Sequence, residues 1–227
     1  MKVNKLESMV VNSPIRRFFQ KHFEMPMLMK LGGVPKTGRV AEIGCGSGYG
    51  LRLLLDVFKP RVVHGFDIDE KMLNKASSFL AKEIMDHKVF LHNEDDKLSQ
   101  LQNNEFSTIF FFGSLHHIPG WRHALKTAYD SLENGGKIYL WEFYRPLTMN
   151  RFVKLFVDHP VEAAFSHEEL KDELMKYNLT ILGEKNMLGM AGMYVVEKAR
   201  DVAPNLNEAS SFEVRRNIQR GNTHSHA

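Results

Sequence analysis

The sequence predicts an α/β fold, an open doubly wound sheet of mostly parallel strands with helices on both faces. Three observations predict it. Short apolar runs with strand character alternate with stretches of helical periodicity, the mark of a parallel sheet with crossover helices. One such run, Arg39–Ile43, ends in a turn with glycine at positions 44, 46, 48 and 50. Leu51, Leu54, Leu55 and Phe58 follow at i, i+3, i+4 and i+7, the stripe of an amphipathic helix. Strand, glycine turn and helix is how such a sheet lets its backbone approach a nucleotide-like ligand.

The remaining elements follow in order. Ser13-Pro14 reads as an N-cap with proline at the first helical position. Ile15, Phe18, Phe19, His22 and Phe23 then give one face of a helix ending near Pro26. That face is expected to pack against the core or to close a lid over a pocket, with Arg16 and Arg17 on the solvated surface or at the pocket entrance. After the linker Leu31–Gly38 come strand 1 (Arg39–Ile43), strand 2 (Arg61–Asp67), a helix carrying Met72, Leu73, Ala76, Phe79 and Leu80, and strand 3 (Lys88–His92). Strand 4 (Phe106–Phe112) is an unbroken apolar run, as a strand covered on both faces requires. A helix with Trp121, Leu125, Ala128 and Leu132 leads through Glu133-Asn134-Gly135-Gly136 into strand 5 (Lys137–Glu142). Ser166-His167-Glu168-Glu169 is a capping box. Thr180–Asn186 and Met193–Lys198 form a closing hairpin.

Composition narrows the function. The chain has 227 residues, 43% of them hydrophobic and 25% charged, which fits one decorated globular domain. A net charge of +3 does not argue for nucleic acid. Cys45 is the only cysteine, so no intrachain disulfide forms and the expected location is the cytoplasm. No apolar run reaches the roughly 20 residues that span a bilayer, so no membrane span is expected.

The glycine spacing separates two kinds of nucleotide site. A dinucleotide fingerprint needs glycine at positions 44, 46 and 49, but 49 is Tyr. Glu42-x-Gly44-x-Gly46-x-Gly48 instead resembles motif I of the class I S-adenosylmethionine-dependent methyltransferases. The resemblance continues through His64-Gly65-Phe66-Asp67-Ile68-Asp69, His92-Asn93-Glu94-Asp95-Asp96, Gly113-Ser114-Leu115-His116-His117-Ile118, which is similar to a segment of small-molecule methyltransferases, and the turn Leu132–Lys137, where Asn134 replaces the usual proline. It covers roughly Gly33 to Lys198 and implies a Rossmann-like sheet of seven strands, the last antiparallel to the rest.

The domain order that follows is an N-terminal helical lid (residues 1–32), a methyltransferase domain (33–199) with a cap insertion at 143–165, and a polar tail (200–227). The implied cofactor is S-adenosylmethionine. Glu42, Gly44, Cys45, Gly46 and Gly48 would lie against its methionine part, with Glu42 either facing the ammonium or satisfied by amides in the turn. Cys45 reads as a small residue in a crowded turn. Asp67 would accept from the ribose hydroxyls and Ile68 would lie on the adenine face, while Asp69 caps the next helix. Glu94 or Asp95 would face the adenine amino group. Gly113 and Leu115 would approach the methionine end, and His116 or His117 would act as general base. Adjacent histidines without further partners lack metal-ligand spacing, so no metal is expected.

The implied reaction is methyl transfer to a small-molecule acceptor. Nucleic-acid adenine methyltransferases place Asn/Asp-Pro-Pro-Tyr where Gly113–His116 stands, and no basic stripe with interleaved aromatics is present. Phe18, Phe19, Tyr144, Arg145, Phe152 and Phe156 are candidate pocket residues, with Arg145 or Arg151 available for an acidic acceptor. The alternatives are a non-catalytic binder of the same cofactor and a NAD-type oxidoreductase. The acceptor and the oligomeric state are not readable.

Overall fold

The computed structural model describes residues 13–93, 106–150, 153 and 160–200. Helical backbone runs from Pro14 to Gly32 as α1 (Pro14–Phe19), a π-helical turn (Gln20–Glu24) and α2 (Met25–Gly32). The sheet and its crossovers follow: β1 (Arg39–Ile43), α3 (Tyr49–Phe58), β2 (Val62–Asp67), α4 (Glu70–Phe79), α5 (Ala81–Met85), β3 (Val89–Asn93), β4 (Phe106–Phe112), a 3-10 turn (Leu115–His117), α6 (Trp121–Ser131) and β5 (Leu132–Phe143). The chain closes with α7 (Arg145–Thr148), a 3-10 turn (Val161–Ala163), α8 (His167–Met175), β6 (Leu179–Met187) and β7 (Ala191–Lys198).

The seven strands lie in the order β3-β2-β1-β4-β5-β7-β6. Strands β1 to β5 pair in parallel, whereas β7 runs antiparallel to both β5 and β6. The seven-stranded expectation with an antiparallel last strand is met. β4 lies at the centre, and all seven of its residues are buried, as its apolar run requires. On one face Trp121, Leu125 and Ala128 of α6 and Leu170 and Leu174 of α8 pack on Ile109, Phe111, Ile138 and Leu140. On the other, Met25 and Leu28 of α2 and Leu51, Leu54 and Phe58 of α3 cover Val40, Val63, Phe110 and Tyr139.

Local chemistry sets the element ends. Ser13 Oγ accepts from Arg16 N at 3.1 Å, with Pro14 in the first turn. Ser166 and Glu169 form the capping box of α8. β5 begins earlier than the sequence suggests: Leu132 pairs with Phe106 before the Gly135-Gly136 turn, and the register shifts before Thr108 meets Lys137.

Of the two expectations for the N-terminal stripe, core packing fails: Ile15, Phe18 and Phe19 of α1 and Phe23 of the π-helical turn are all exposed. The inner side of this segment is polar, with Gln20 and Glu24 buried. A helical stripe in a sequence shows that an apolar face exists, but not what covers it.

Candidate active site

The carboxyl ends of β1, β2, β4 and β5 lie side by side along one edge of the sheet, the edge at which open α/β sheets bind ligands. The glycine loop leaves β1 with Gly44 N and Cys45 N both donating to Phe66 O at the end of β2 (2.8 and 2.9 Å). Asp67 locks the loop from the other side. Its Oδ2 accepts from Gly46 N at 2.7 Å and its Oδ1 from Asp69 N at 2.8 Å. Each carboxylate oxygen keeps further lone-pair capacity for a ligand hydroxyl. Burial raises the Asp67 carboxyl above its ordinary range, and the two amide donors oppose that rise.

Gly46 is in the left-handed region at φ 53°, and nothing lies within 4 Å of where a Cβ would stand. The loop is therefore open on that side, a cradle with room for a ligand beside the backbone. Gly48 opens α3 at φ 86° and packs closely on Ala76 and Leu80, so its role is helix contact. Cys45 is buried among Leu51 and its neighbours. Ile68, an exposed apolar side chain, stands just past the tip of β2.

Glu42, at the end of β1, is almost wholly buried, with its carboxyl group turned toward Gly50 in the first turn of α3. Its Oε2 has no hydrogen-bond partner among the described residues. Burial pushes its pKa well above the carboxylate range, with nearby Arg16 opposing the shift and Asp67 adding to it. The possibility that turn amides satisfy this carboxylate is not realised at Oε2. An unpaired buried carboxyl oxygen beside an open glycine loop fits the ammonium of an amino-acid moiety. The residues present fit S-adenosylmethionine at two points, Glu42 for the ammonium and Asp67 for the ribose, while the amides of Gly44, Cys45, Gly46 and Gly48 already donate within the protein.

On the acceptor side, Glu142 at the tip of β5 organises the segment after β4. Its Oε1 accepts from Leu115 N at 2.9 Å and Ser114 N at 3.2 Å, and its Oε2 lies 2.7 Å from His116 Nδ1. Burial pushes the Glu142 carboxyl up to about 8, against the pull of these amide donors. His116 is buried, and its Cε1 lies 3.8 Å from the Cβ that Gly113 lacks, so its ring edge faces the gap there. His117 is half-buried, with its ring centroid 4.2 Å from that of His116. Leu115 turns its side chain into the core, leaving its backbone at the site.

Arg16 is not a solvated surface residue. Its Nη1 donates to both carboxyl oxygens of Glu24 at 2.9 Å, and its Nη2 to Phe112 O at 3.3 Å. The N-terminal helical segment is thereby tied to the tip of β4. Burial pushes Glu24 up to about 7, with Arg16 opposing it. Arg17 spreads over the rings of Tyr49 and Phe79, 5.1 and 5.8 Å from their centroids.

Among the other pocket candidates, Tyr144 is buried with its hydroxyl 2.8 Å from His167 Nδ1, and Tyr194 closes the opposite side of that imidazole at 2.7 Å from Nε2. Arg145 is held on the surface by Glu169 at 2.8 Å and by Ala164 O. Phe18 and Phe19 point outward. Glu94, Asp95, Arg151, Phe152 and Phe156, with residues 1–12 and 201–227, lie outside the described residues. The described residues hold no cluster of three or more His, Cys, Asp or Glu suited to a metal. No helix among them is long and apolar enough to cross a membrane.

Sequence reasoning did not single out Glu24 or Glu142. Glu142 had a signal: it is a lone carboxylate in the apolar run Ile138–Phe143. An acid at such a position calls for partners. Glu24 carried none, because its pairing with Arg16 spans a π-helical turn that periodicity does not reveal.

The chain is similar to known proteins in sequence and in fold. The profile of a methyltransferase domain family matches residues 41–138. The chain is 28% identical over 105 residues to the 27-O-demethylrifamycin SV methyltransferase of Amycolatopsis mediterranei (strain S699), covering 46% of this chain and 38% of that protein. It is 30% identical over 115 residues to the tRNA U34 carboxymethyltransferase of Helicobacter pylori (strain HPAG1), covering 50% and 43%. The chain spans at most 46% of the length of these curated relatives. An S-adenosylmethionine-dependent methyltransferase structure from Mesorhizobium loti shares the fold, with TM-score 0.61 and 17% identity over 77% of this chain and 97% of the other. Residues 41–138 thus match a methyltransferase domain family, and the chain shares the fold of an S-adenosylmethionine-dependent methyltransferase.

Proposed function

We propose that this chain transfers a methyl group from S-adenosylmethionine to a small-molecule acceptor, with His116 as the proton-accepting base and Glu142 as the residue that positions it. The observation that supports this most is the buried Glu42 Oε2, without a hydrogen-bond partner among the described residues, beside a glycine loop clamped by Asp67. When bound, the cofactor supplies an electrophilic methyl group on a sulfonium.

The protein's own work is to bind, align and exclude water. Asp67 accepts from the ribose hydroxyls while holding Gly46, so sugar recognition and loop shape are coupled. Glu42 takes the ammonium, and Ile68 offers an apolar surface for the base. When the Glu142 carboxyl is ionised and accepts from Nδ1–H, the basic lone pair of His116 is on Nε2, the nitrogen that would receive a proton from an acceptor hydroxyl or amine. The Pro14–Gly32 segment, fastened at Phe112 O by Arg16, serves as the lid of the site.

A small molecule is favoured because Gly113-Ser114-Leu115-His116 follows β4, and because one relative is named for methylating a rifamycin. Transfer to tRNA is the second reading, prompted by relatives named as tRNA U34 carboxymethyltransferases. Calorimetric titration with S-adenosylmethionine, then label transfer to a small-molecule panel and to bulk tRNA, tests both. Labelling of tRNA alone would overturn the small-molecule reading, and absence of cofactor binding would overturn the whole.

A further inference from the structure

We propose that the end of the molecule bearing this site docks on an anionic lipid surface, through the outer face of α1 and the β6–β7 turn. The proposal does not depend on the acceptor. Ile15, Phe18, Phe19 and Phe23 follow the spacing of one helical face, and they are 71%, 62%, 52% and 41% exposed. Amphipathic helices of folded domains bury that stripe, whereas this one presents it to solvent.

A second element shows apolar side chains at the same end. β6 runs in the direction of β1 to β5, so its turn into β7 lies at the carboxyl edge of the sheet, and Met190 O accepts from Tyr144 N at 2.9 Å, just past the tip of β5. α1 reaches that edge too, through the Arg16 contact with Phe112 O. In the turn, Leu188 is 92% exposed and holds a left-handed backbone at φ 53°. A large apolar residue is costly there, since glycine or asparagine adopts that conformation more readily. Met190 beside it is also exposed.

Charge indicates the occupant. Residues 13–23 contain Arg16, Arg17, Lys21 and His22 and no Asp or Glu, and at the end of β6 Lys185 follows Glu184, whose charge is paired with Lys171. Lys21, His22 and Lys185 are exposed, and the first acid after the α1 stripe, Glu24, is buried against Arg16. Protruding apolar tips on two separate elements, bordered by cations, suit a flat anionic surface into which side chains insert a few ångströms.

Flotation of the full chain with vesicles tests this. Wild type is expected to float with phosphatidylcholine–phosphatidylglycerol vesicles and to remain below with phosphatidylcholine alone. Leu188→Ser and the double variant Phe18→Ser/Phe19→Ser are each expected to lower partitioning by at least about tenfold. Leu188→Ser, on an exposed turn, should keep the wild-type Tm and cofactor affinity, which separates lost docking from lost folding. Absence of wild-type flotation, or equal flotation by both variants, would overturn the proposal. So would a wild-type dimer that the double variant dissociates without any vesicle binding, since the face would then belong to a second copy.

Discussion

Glu42→Gln isolates the contribution of one buried charge. The wild-type carboxyl is almost wholly buried, leaves Oε2 without a partner among the described residues, and is pushed well above its ordinary pKa by burial. An unsatisfied buried polar group costs about 1–3 kcal/mol, more when charged. Glutamine keeps the shape and removes the charge, so the ligand-free protein should gain stability. For a chain of this size, each kcal/mol moves Tm by about 2–4 °C. The gain should grow as pH rises, because only the ionised wild-type carboxyl carries the burial penalty. The same change should remove an ionic contact with the cofactor ammonium, about 1.5–3 kcal/mol, which weakens binding about 10- to 150-fold. Thermal unfolding with and without S-adenosylhomocysteine, paired with calorimetric titration, reads both quantities. A lowered Tm with unchanged affinity would refute the reasoning and make Glu42 a structural carboxylate.

The other predictions use the same site. Asp67→Ala strips Gly46 N and Asp69 N of their acceptor, and Gly46→Val puts a branched side chain at φ 53° and fills the cradle; each should weaken cofactor binding tenfold or more by titration, roughly the loss of one charge-assisted contact. Glu142→Gln turns an amide N–H toward His116 Nδ1 and forces the other tautomer, so turnover of a proton-losing acceptor should fall about 10²–10⁴-fold with cofactor affinity unchanged. Glu24 and Glu142 have folded pKa values raised to about 7 and about 8, so the stability they contribute is complete below their ordinary range and is lost as pH rises through those values. His64, lowered to about 4 by burial, has the opposite sign: its contribution is present above the ordinary imidazole value and is lost as pH falls toward 4. The windows overlap, and with two carboxyls set against one imidazole Tm should decline from weakly acidic toward alkaline pH; a Tm rising steadily to pH 9 would contradict this.

The parts of this site legible in the sequence are those whose geometry is local. Glu42, the glycines and Asp67 announce themselves because a strand end and a tight turn each dictate residue types within a few positions. The Ser166 capping box and the closing hairpin are local in the same sense. What was not legible depends on partners far apart in the chain. Glu142 meets Leu115 and His116 across 27 and 26 residues, and Arg16 meets Phe112 O across 96. Tyr144 looked like a pocket aromatic because its type suits one, yet it closes around His167 in the core. The outward turn of the Phe18 and Phe19 stripe was hidden for the same reason, since periodicity does not say which side of a helix meets the sheet.

The central claim is that adjacent strand tips hold one nucleoside, and a structure with S-adenosylhomocysteine bound tests it most directly. The account predicts the ribose hydroxyls on Asp67, the amino-acid end over Gly44–Gly48 with its ammonium at Glu42 Oε2, and the thioether sulfur toward Gly113. Density for the nucleoside at any other place, or Asp67 making no contact with it, would contradict the account.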